Sequence, residues 1–185
     1  EVALAPPLHA PSGRTPHVFF FAIDSLRPDY LAPYNAMVTF TPAIARFASE
    51  STVFRNAFTR YGATGLSEPA LWTGTAVPHQ QYPNEYWRMN SLQKLLQAGQ
   101  YQAFVSKDHI LQRLLAPWSG LTELDRGRNA SDYDVCRTLA ELGDTITTRN
   151  RADGRPLFAF TQPQNVHIGA ITREDLEAFH AKWFH

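Results

Sequence analysis

The sequence is poor in the residues that cross-link or anchor a small protein. Cys136 is the only cysteine, which excludes an internal disulfide framework and a zinc site built from several cysteines. No run of about 18 consecutive apolar residues is present, so no segment is predicted to cross a membrane. Residues 1–17 also lack the order of charged, apolar and small residues that marks a signal peptide, although one could precede Glu1.

The sequence also has no net charge. Seventeen Lys and Arg residues balance seventeen Asp and Glu residues, so no overall electrostatic field attracts a polyanion. We therefore expect no nucleic-acid partner. Apolar residues make up 44% of the 185 positions, which is enough for one domain core at the usual size of roughly 100 to 200 residues.

The chain divides into two regions by composition. Residues 1–16 are rich in proline and carry few side chains to bury, which predicts a linker. Residues 17–185 are predicted to form one α/β domain, as its N-terminal part. A last helix with Leu176, Phe179 and Trp183 on one face is still running at His185, which indicates that the domain is incomplete at its C-terminus.

Strand and helix patterns alternate along this domain. Apolar and β-prone runs predict strands, and the first of them, which lacks alternation, is expected to be covered on both faces. Helices are predicted after the N-cap Thr41, after the N-cap Ser91 and along an apolar stripe from Val135. This alternation predicts a mainly parallel sheet with helices on both faces. The predicted strands are residues 18–23, 52–58, 101–105 and 157–160.

Asp24 is the first candidate functional residue, because it directly follows a predicted buried strand. Ligands of open α/β sheets gather at the carboxyl ends of the strands. A cap of the turn that leaves the strand is the structural alternative for this side chain.

The segment around Asp24 resembles a known family. Residues 17–30, HVFFFAIDSLRPDY, are similar to the opening strand of sulfatases and their alkaline-phosphatase-like relatives, and residues 41–58 are similar to the helix and strand that follow. The resemblance implies that Asp24 is a metal ligand and that Arg27 contacts the substrate. Ser25 stands where the family often has a second aspartate, which counts against the full calcium site of true sulfatases.

A second segment, residues 61–74 with the sequence YGATGLSEPALWTG, matches the family's nucleophile region. The family nucleophile lies nine residues before a Thr-Gly pair, and counting back from Thr73 gives Thr64. True sulfatases have a formylglycine precursor, Cys or Ser, at this place and an arginine four residues later, where this chain has Glu68. The related phosphoethanolamine and phosphoglycerol transferases use threonine. A simple helix cap is the alternative for Thr64, and Ser67 is the rival nucleophile.

The chemistry of these residue types agrees with the resemblance. A hydroxyl group needs a metal ion or a base to become a nucleophile at neutral pH, and a helix N-terminus attracts anions. The resemblance implies that Asp24 and Thr64 bind a divalent metal ion, with Ca²⁺, Mg²⁺, Mn²⁺ and Zn²⁺ left open.

Two further segments carry expected substrate-binding residues. Residues 97–109, QAGQYQAFVSKDH, are similar to a family strand that ends in a Lys-x-His pair, and residues 158–167 are similar to another that ends in histidine. The resemblance implies that Lys107 neutralises the ester anion, that His109 is a general acid and that His167 lines the pocket. A solvated lysine, a capping histidine and a structural histidine are the alternatives.

The sequence thus predicts part of a metal-dependent hydrolase or transferase that acts on small phosphate or sulfate esters through a threonine nucleophile. The alternatives are a phosphoethanolamine or phosphoglycerol transferase of the cell envelope and a non-catalytic α/β binding module. The family's remaining metal ligands, an Asp followed by His, Asn or Gly, come from the C-terminal half of its domain, to which the resemblance does not extend. We therefore expect the fragment to be inactive alone and to need the missing half of the domain or another chain. The resemblance implies a location in the periplasm, outside the cell or on the outer face of the membrane.

Overall fold

The computed structural model of the chain describes residues 15–75, 86–149 and 154–164. Within these ranges no helix is long and apolar enough to cross a membrane. Short 3₁₀ turns are formed by Pro28–Tyr30, Tyr86–Met89 and Ala130–Asp132. The longer elements, in chain order, are β1 (Val18–Phe21), α1 (Pro42–Ser49), α2 (Thr64–Thr73), α3 (Ser91–Ala98), β2 (Gln102–Ser106), α4 (Leu111–Leu114), β3 (Leu121–Leu124), α5 (Val135–Arg149) and β4 (Leu157–Thr161).

The four strands form one sheet in the order β1-β4-β2-β3, and every neighbouring pair is parallel. Phe158 of β4 lies opposite Val18 on one side and Ala103 on the other. Because all strands run the same way, their carboxyl ends lie along one edge of the sheet. The predicted α/β fold with a parallel sheet is confirmed.

Helices cover the sheet on both faces, as predicted, because successive strand residues point to opposite sides. On one face, side chains from β2 and β4 pack with α2, α3 and α4, and Trp72 contacts the rings of Phe158 and Phe160 edge-on. On the other face, Leu142 of α5 packs in a second cluster. The members of that cluster are Phe104, Leu124, Leu142, Leu157 and Ala159.

Strand β1 does not have the cover that its sequence predicted. Its four residues, Val18–Phe21, are between 39 and 51% exposed. The strand lies at the edge of the sheet, and its strand neighbour among the described residues is β4. The ring of Phe20 stacks on Phe160 at 5.3 Å between centroids, so part of the strand is anchored to the core. A continuous apolar run shows that a strand has apolar surface to bury. It does not show which element covers that surface.

Three local predictions need correction. Residues 52–58 form loop and turn rather than a strand, because β-prone residues form a strand only where a neighbour accepts their backbone hydrogen bonds. Strand Leu121–Leu124 was not predicted; it pairs with β2. The N-cap of α3 is Asn90, whose side chain accepts from the Gln93 amide at 2.8 Å, and Ser91 is the first helical residue.

Candidate active site

Asp24 and Thr64 meet at the carboxyl edge of the sheet. The chain leaves β1 through a turn at Asp24 and Ser25, where Ser25 has a left-handed backbone with φ of 60°. The Thr64 hydroxyl group donates a hydrogen bond to Oδ2 of Asp24, with 3.2 Å between the oxygen atoms. Two residues separated by 40 positions in the sequence therefore share one small site.

Thr64 is the first residue of α2 and not its cap. The N-cap is Ala63, which has an extended backbone and no side chain able to cap. The helix ends at Gly74, whose left-handed φ of 70° lets its amide donate to the Ala70 carbonyl. The first amide groups of α2 have no acceptor within the helix, and the helix dipole gives this end a partial positive charge. The Thr64 hydroxyl thus lies where an anion is favoured.

A pocket of about 610 Å³ surrounds this hydrogen bond. Its walls are mainly apolar and include the aromatic rings of Phe20, Phe21, Phe58 and Phe160. Of the described residues that line it, Asp24 and Glu68 are the acids, and none is Lys, Arg or His. Apart from the N-terminus of α2, the described lining of this pocket therefore offers an anion no positive charge. The remaining lining residues are Ala22, Ile23, Ala57, Thr59, Thr64, Ser67, Leu71 and Gln162.

The predicted substrate-binding residues do not line this pocket. Lys107 follows β2 at the same sheet edge and is half-buried, while His109 is exposed two residues later. Arg27 pairs with Asp29 at 2.5 Å, and that hydrogen bond raises the pKa of its guanidinium group. His167 lies outside the described residues. The structure brings Asp24 and Thr64 together and leaves the other roles as predictions.

Glu68 also lines the site, and the sequence did not predict this. It lies one helical turn after Thr64 and is 5% exposed. Burial raises the pKa of its carboxyl group to about 9, and the charges of Asp108 and Asp24 raise it further. The spacing of four residues from Thr64 could have indicated it, because such residues share one helix face.

Asp108 owes its position to the helix that follows it. Its Oδ1 accepts hydrogen bonds from the amides of Ile110 and Leu111 at 3.0 and 2.8 Å, and the side chain is buried. These two amides stabilise the carboxylate at the start of α4. Asp108, between Lys107 and His109, therefore has a structural role.

Gln162 is a second pocket residue that was not predicted. It follows β4 as Asp24 follows β1, and it is 5% exposed. Its Oε1 atom is buried and has no hydrogen-bond partner among the described residues. The rule that pointed to Asp24, a polar residue directly after a buried strand, would have found Gln162 as well.

The donor atoms of the site suit a hard divalent cation. Asp24 offers a carboxylate, Thr64 a hydroxyl and Gln162 a buried carbonyl oxygen without a partner, all of them oxygen ligands. No three acidic, histidine or cysteine side chains in the described ranges converge closely enough to hold a metal ion by themselves. The residues present fit in type, and the site needs further ligands.

The sulfatase family model matches residues 16–115, which is more than half of the chain. The chain belongs to the sulfatase family. A comparison with curated proteins and one with solved structures gave no significant match.

The match places several of the residues above inside the sulfatase domain. It contains Asp24, Thr64, Glu68 and the Lys107 to His109 segment, whereas β4 and Gln162 lie beyond it. Proteins of the sulfatase family generally use a divalent metal ion, in agreement with the oxygen donors at this sheet edge. The chain thus belongs to a superfamily of sulfatase-like hydrolases and transferases.

Proposed function

We propose that this chain supplies the nucleophile of a metal-dependent enzyme that acts on small phosphate or sulfate esters, with Thr64 as that nucleophile. The observation that carries the proposal is the hydrogen bond from Thr64 Oγ1 to Asp24 Oδ2, formed at a helix N-terminus inside a pocket.

The chain's own residues divide the chemistry between them. Thr64 Oγ1 forms the new bond to phosphorus or sulfur as the bond to the leaving ester oxygen breaks. The hydroxyl proton passes through water to the leaving oxygen, which departs as an alcohol. The N-terminal amides of α2 face the charge that develops on the equatorial oxygens. Oδ2 of Asp24 accepts the hydrogen bond of the Thr64 hydroxyl group and so orients Oγ1. A divalent cation bound by Asp24, Thr64 and Gln162 would supply the positive charge that lowers the pKa of the hydroxyl group. Attack of an acceptor on the esterified Thr64 restores the enzyme.

The acceptor distinguishes a hydrolase from a transferase. Threonine at the nucleophile place, with an exposed Cys136 on α5 as the only cysteine, favours the phosphoethanolamine and phosphoglycerol transferases over formylglycine sulfatases. In a transferase an alcohol takes the group from Thr64, and in a hydrolase water does so. Product analysis with and without an added alcohol separates the two.

The family's missing ligands support a proposal about partners and location. We infer that the remaining half of the domain, or another chain, completes the metal site, because the described donors are too few for the four or more ligands of a divalent site. The periplasm, the outer face of the membrane and the extracellular space are the proposed locations, on the resemblance to envelope and secreted relatives.

The test uses the full-length protein with Mg²⁺, Ca²⁺, Mn²⁺ or Zn²⁺ and with aryl phosphate monoesters, phosphodiesters and aryl sulfates. Thr64→Ala should lose turnover by about 10³-fold or more, as expected for loss of a nucleophile. Thr64→Ser should keep measurable turnover and a covalent intermediate visible by mass spectrometry. Thr147→Ala is the matched control, because that exposed threonine of α5 donates only to the Gly143 carbonyl within its helix.

Ser67 provides the decisive comparison. Its hydroxyl group lines the same pocket but donates to the Ala63 carbonyl at 2.9 Å, within its own helix. Ser67→Ala should therefore keep turnover. If Thr64→Ala keeps wild-type turnover and Ser67→Ala abolishes it, the nucleophile is Ser67 and the proposal is wrong.

A further inference from the structure

One face of β1 is open in the part of the chain that the structure describes. Phe19 and Phe21 are 44 and 51% exposed, and their rings stack on each other with 6.3 Å between centroids. The register places Phe19 beside Ala159 and Phe21 beside Thr161, on the face of the sheet that α5 covers. The cluster beneath α5 contains residues of β2, β3 and β4 and none of β1. Two large apolar side chains thus lack the helical cover that the rest of this face has.

The connections between the strands indicate which face a helix after β4 should cover. From β1 to β2 and on to β3, the chain passes through α2, α3 and α4, which pack on one face. From β3 to β4 it crosses the sheet in the opposite direction, and α5 packs on the other face. A single handedness of connection gives this arrangement, and connections between parallel strands are right-handed in about 98% of cases. A helix that leads from β4 toward β1 continues the direction of α5, so it should lie on the α5 face.

Residues 172–185 have the pattern and the length to cover β1. They lie outside the described residues, and their sequence predicts a helix with Leu176, Phe179 and Trp183 on one side. Fourteen helical residues extend about 21 Å, which exceeds the length of about 13 Å of the four-residue strand. The seven residues 165–171 can reach about 23 Å when extended, more than the distance of about 10 Å between packed layers. The connection from β4 is therefore long enough.

We propose that residues 172–185 dock as a helix on the α5 face of β1, with their apolar side on Phe19 and Phe21. The neighbouring β2 offers no such place on this face, because its Phe104 is fully buried in the cluster beneath α5. The docked helix covers the strand that leads to Asp24, three residues after Phe21. The proposal concerns the surface of β1 and does not depend on the role of Thr64.

Maleimide labelling of single cysteines tests which face of β1 is covered. The full-length protein carries Cys136→Ser, together with either Phe19→Cys or Val18→Cys. These two positions are similarly exposed in the described structure, at 44 and 39%, but point to opposite faces of the sheet. Phe179→Asp should undock the segment and raise the labelling rate of Phe19→Cys by about 10-fold, as expected for loss of local protection. The rate for Val18→Cys should change by less than about 2-fold, because its face is not covered by the segment.

Ala181→Asp is the matched control for the charged substitution. It introduces the same charge two residues later, about 200° away from Phe179 around a helix. This position lies on the side of the predicted helix that faces away from β1. Ala181→Asp should therefore leave the labelling rate of Phe19→Cys unchanged.

Cross-linking supplies the second measurement and identifies the partner. In the same Cys136→Ser background, a bismaleimide with a span of about 10 Å, the distance between packed layers, should join Phe19→Cys to Phe179→Cys within one chain. The yield should be at least about 5-fold higher than for Val18→Cys with Phe179→Cys, because the sheet separates the two side chains of that pair. Mass spectrometry of a mixture of ¹⁵N-labelled and unlabelled protein distinguishes links within a chain from links between chains.

Three outcomes would overturn the proposal. Equal cross-linking yields for the Phe19 and Val18 pairs would mean that the segment does not dock on the α5 face. Links that join two chains would mean that a second copy covers β1. An unchanged labelling rate of Phe19→Cys on Phe179→Asp would mean that the segment is not its cover. If Phe179→Asp raises the rates at both positions, the chain has unfolded, and the cross-linking yields, which need no charged variant, decide.

Discussion

The hydroxyl group of Thr138 donates to both carboxylate oxygens of Asp125, at 3.0 and 2.8 Å. Asp125 also accepts from the Ser106 hydroxyl at 2.9 Å and from Arg128 at 2.6 Å, and it is 1% exposed. Ser106 ends β2, Asp125 follows β3, and Thr138 lies in α5. One buried carboxylate thus joins two strand ends to the helix that covers them, next to the segment that carries Lys107.

Replacement of Asp125 should therefore be costly. Asp125→Ala leaves the hydroxyl groups of Ser106 and Thr138 buried without their acceptor, at about 1–3 kcal/mol for each unsatisfied group. We expect a loss of about 3 kcal/mol or more in the free energy of unfolding, measured by urea denaturation. Asp144→Ala, at an exposed acid of α5, should change that free energy by less than about 0.5 kcal/mol. Similar losses for both variants would contradict a special role for Asp125.

Tyr133 gives a prediction at alkaline pH. Its hydroxyl group donates to the Lys107 carbonyl at 2.8 Å, and burial, with smaller effects of Asp125, Asp108 and other neighbouring charges, raises its pKa to about 12. The folded chain therefore disfavours the phenolate, and the stability that Tyr133 contributes is lost as the pH rises from 10 to about 12.

Tyr133→Phe tests this relationship. The variant should lose about 1 kcal/mol at neutral pH, because the Lys107 carbonyl loses its donor. It should also lose less stability than the wild type between pH 10 and pH 12. Absorbance of the phenolate, followed during alkaline titration, should show one fewer late-titrating tyrosine in the variant. An unchanged titration would mean that Tyr133 ionises normally.

Two glycines offer a matched pair of substitutions to alanine. Gly74 ends α2 with a φ of 70°, which disfavours any residue with a Cβ atom, whereas Gly143 lies inside α5 and has open space around it. Gly74→Ala should lower the free energy of unfolding by about 1 kcal/mol, and Gly143→Ala should raise it by up to about 1 kcal/mol. Thermal unfolding of both variants decides the matter. Equal signs would mean that local backbone conformation does not control their effect.

Trp72 is expected to dominate the core beneath the nucleophile helix. It is 1% exposed, and its ring lies 5.9 and 5.3 Å from those of Phe158 and Phe160. Trp72→Ala should cost about 3–5 kcal/mol. Trp72→Phe should cost much less, because the indole Nε1 has no hydrogen-bond partner in the described part of the chain. A small cost for alanine, measured by the same urea titration, would show that the core can collapse into the space.

The sheet could largely be predicted from sequence because three of its strands are apolar runs that carry their own signal. Strand β3 has only a weak signal in the sequence, because Leu121–Leu124 has four residues and two of them are polar. It forms a strand because it pairs with β2. The reverse holds for residues 52–58, which have β propensity but pair with no strand among the described residues. Local sequence reports propensity, and pairing depends on the rest of the chain.

The site also has features that the sequence could predict and features that it could not. Asp24 and Thr64 were predictable because their positions follow from where a strand ends and a helix begins. Lys107 and His109 follow β2 at the same sheet edge but do not line the pocket, and Asp108 between them accepts hydrogen bonds from the amides of Ile110 and Leu111. The roles of Glu68 and Gln162 depend on burial without a partner, which spacing alone does not reveal.

The position of β1 also affects how the chain can fold as it is made. Val18 pairs with Phe158, and the amide of Leu157 donates to His17 at 3.0 Å across 140 positions of sequence. At synthesis rates of about 5–20 residues per second, the phenylalanine-rich first strand is made roughly 7 to 28 seconds before its neighbour β4. Contacts between such distant segments also close slowly. Chaperones that bind extended apolar segments therefore have their best opportunity on the nascent chain at Val18–Phe21.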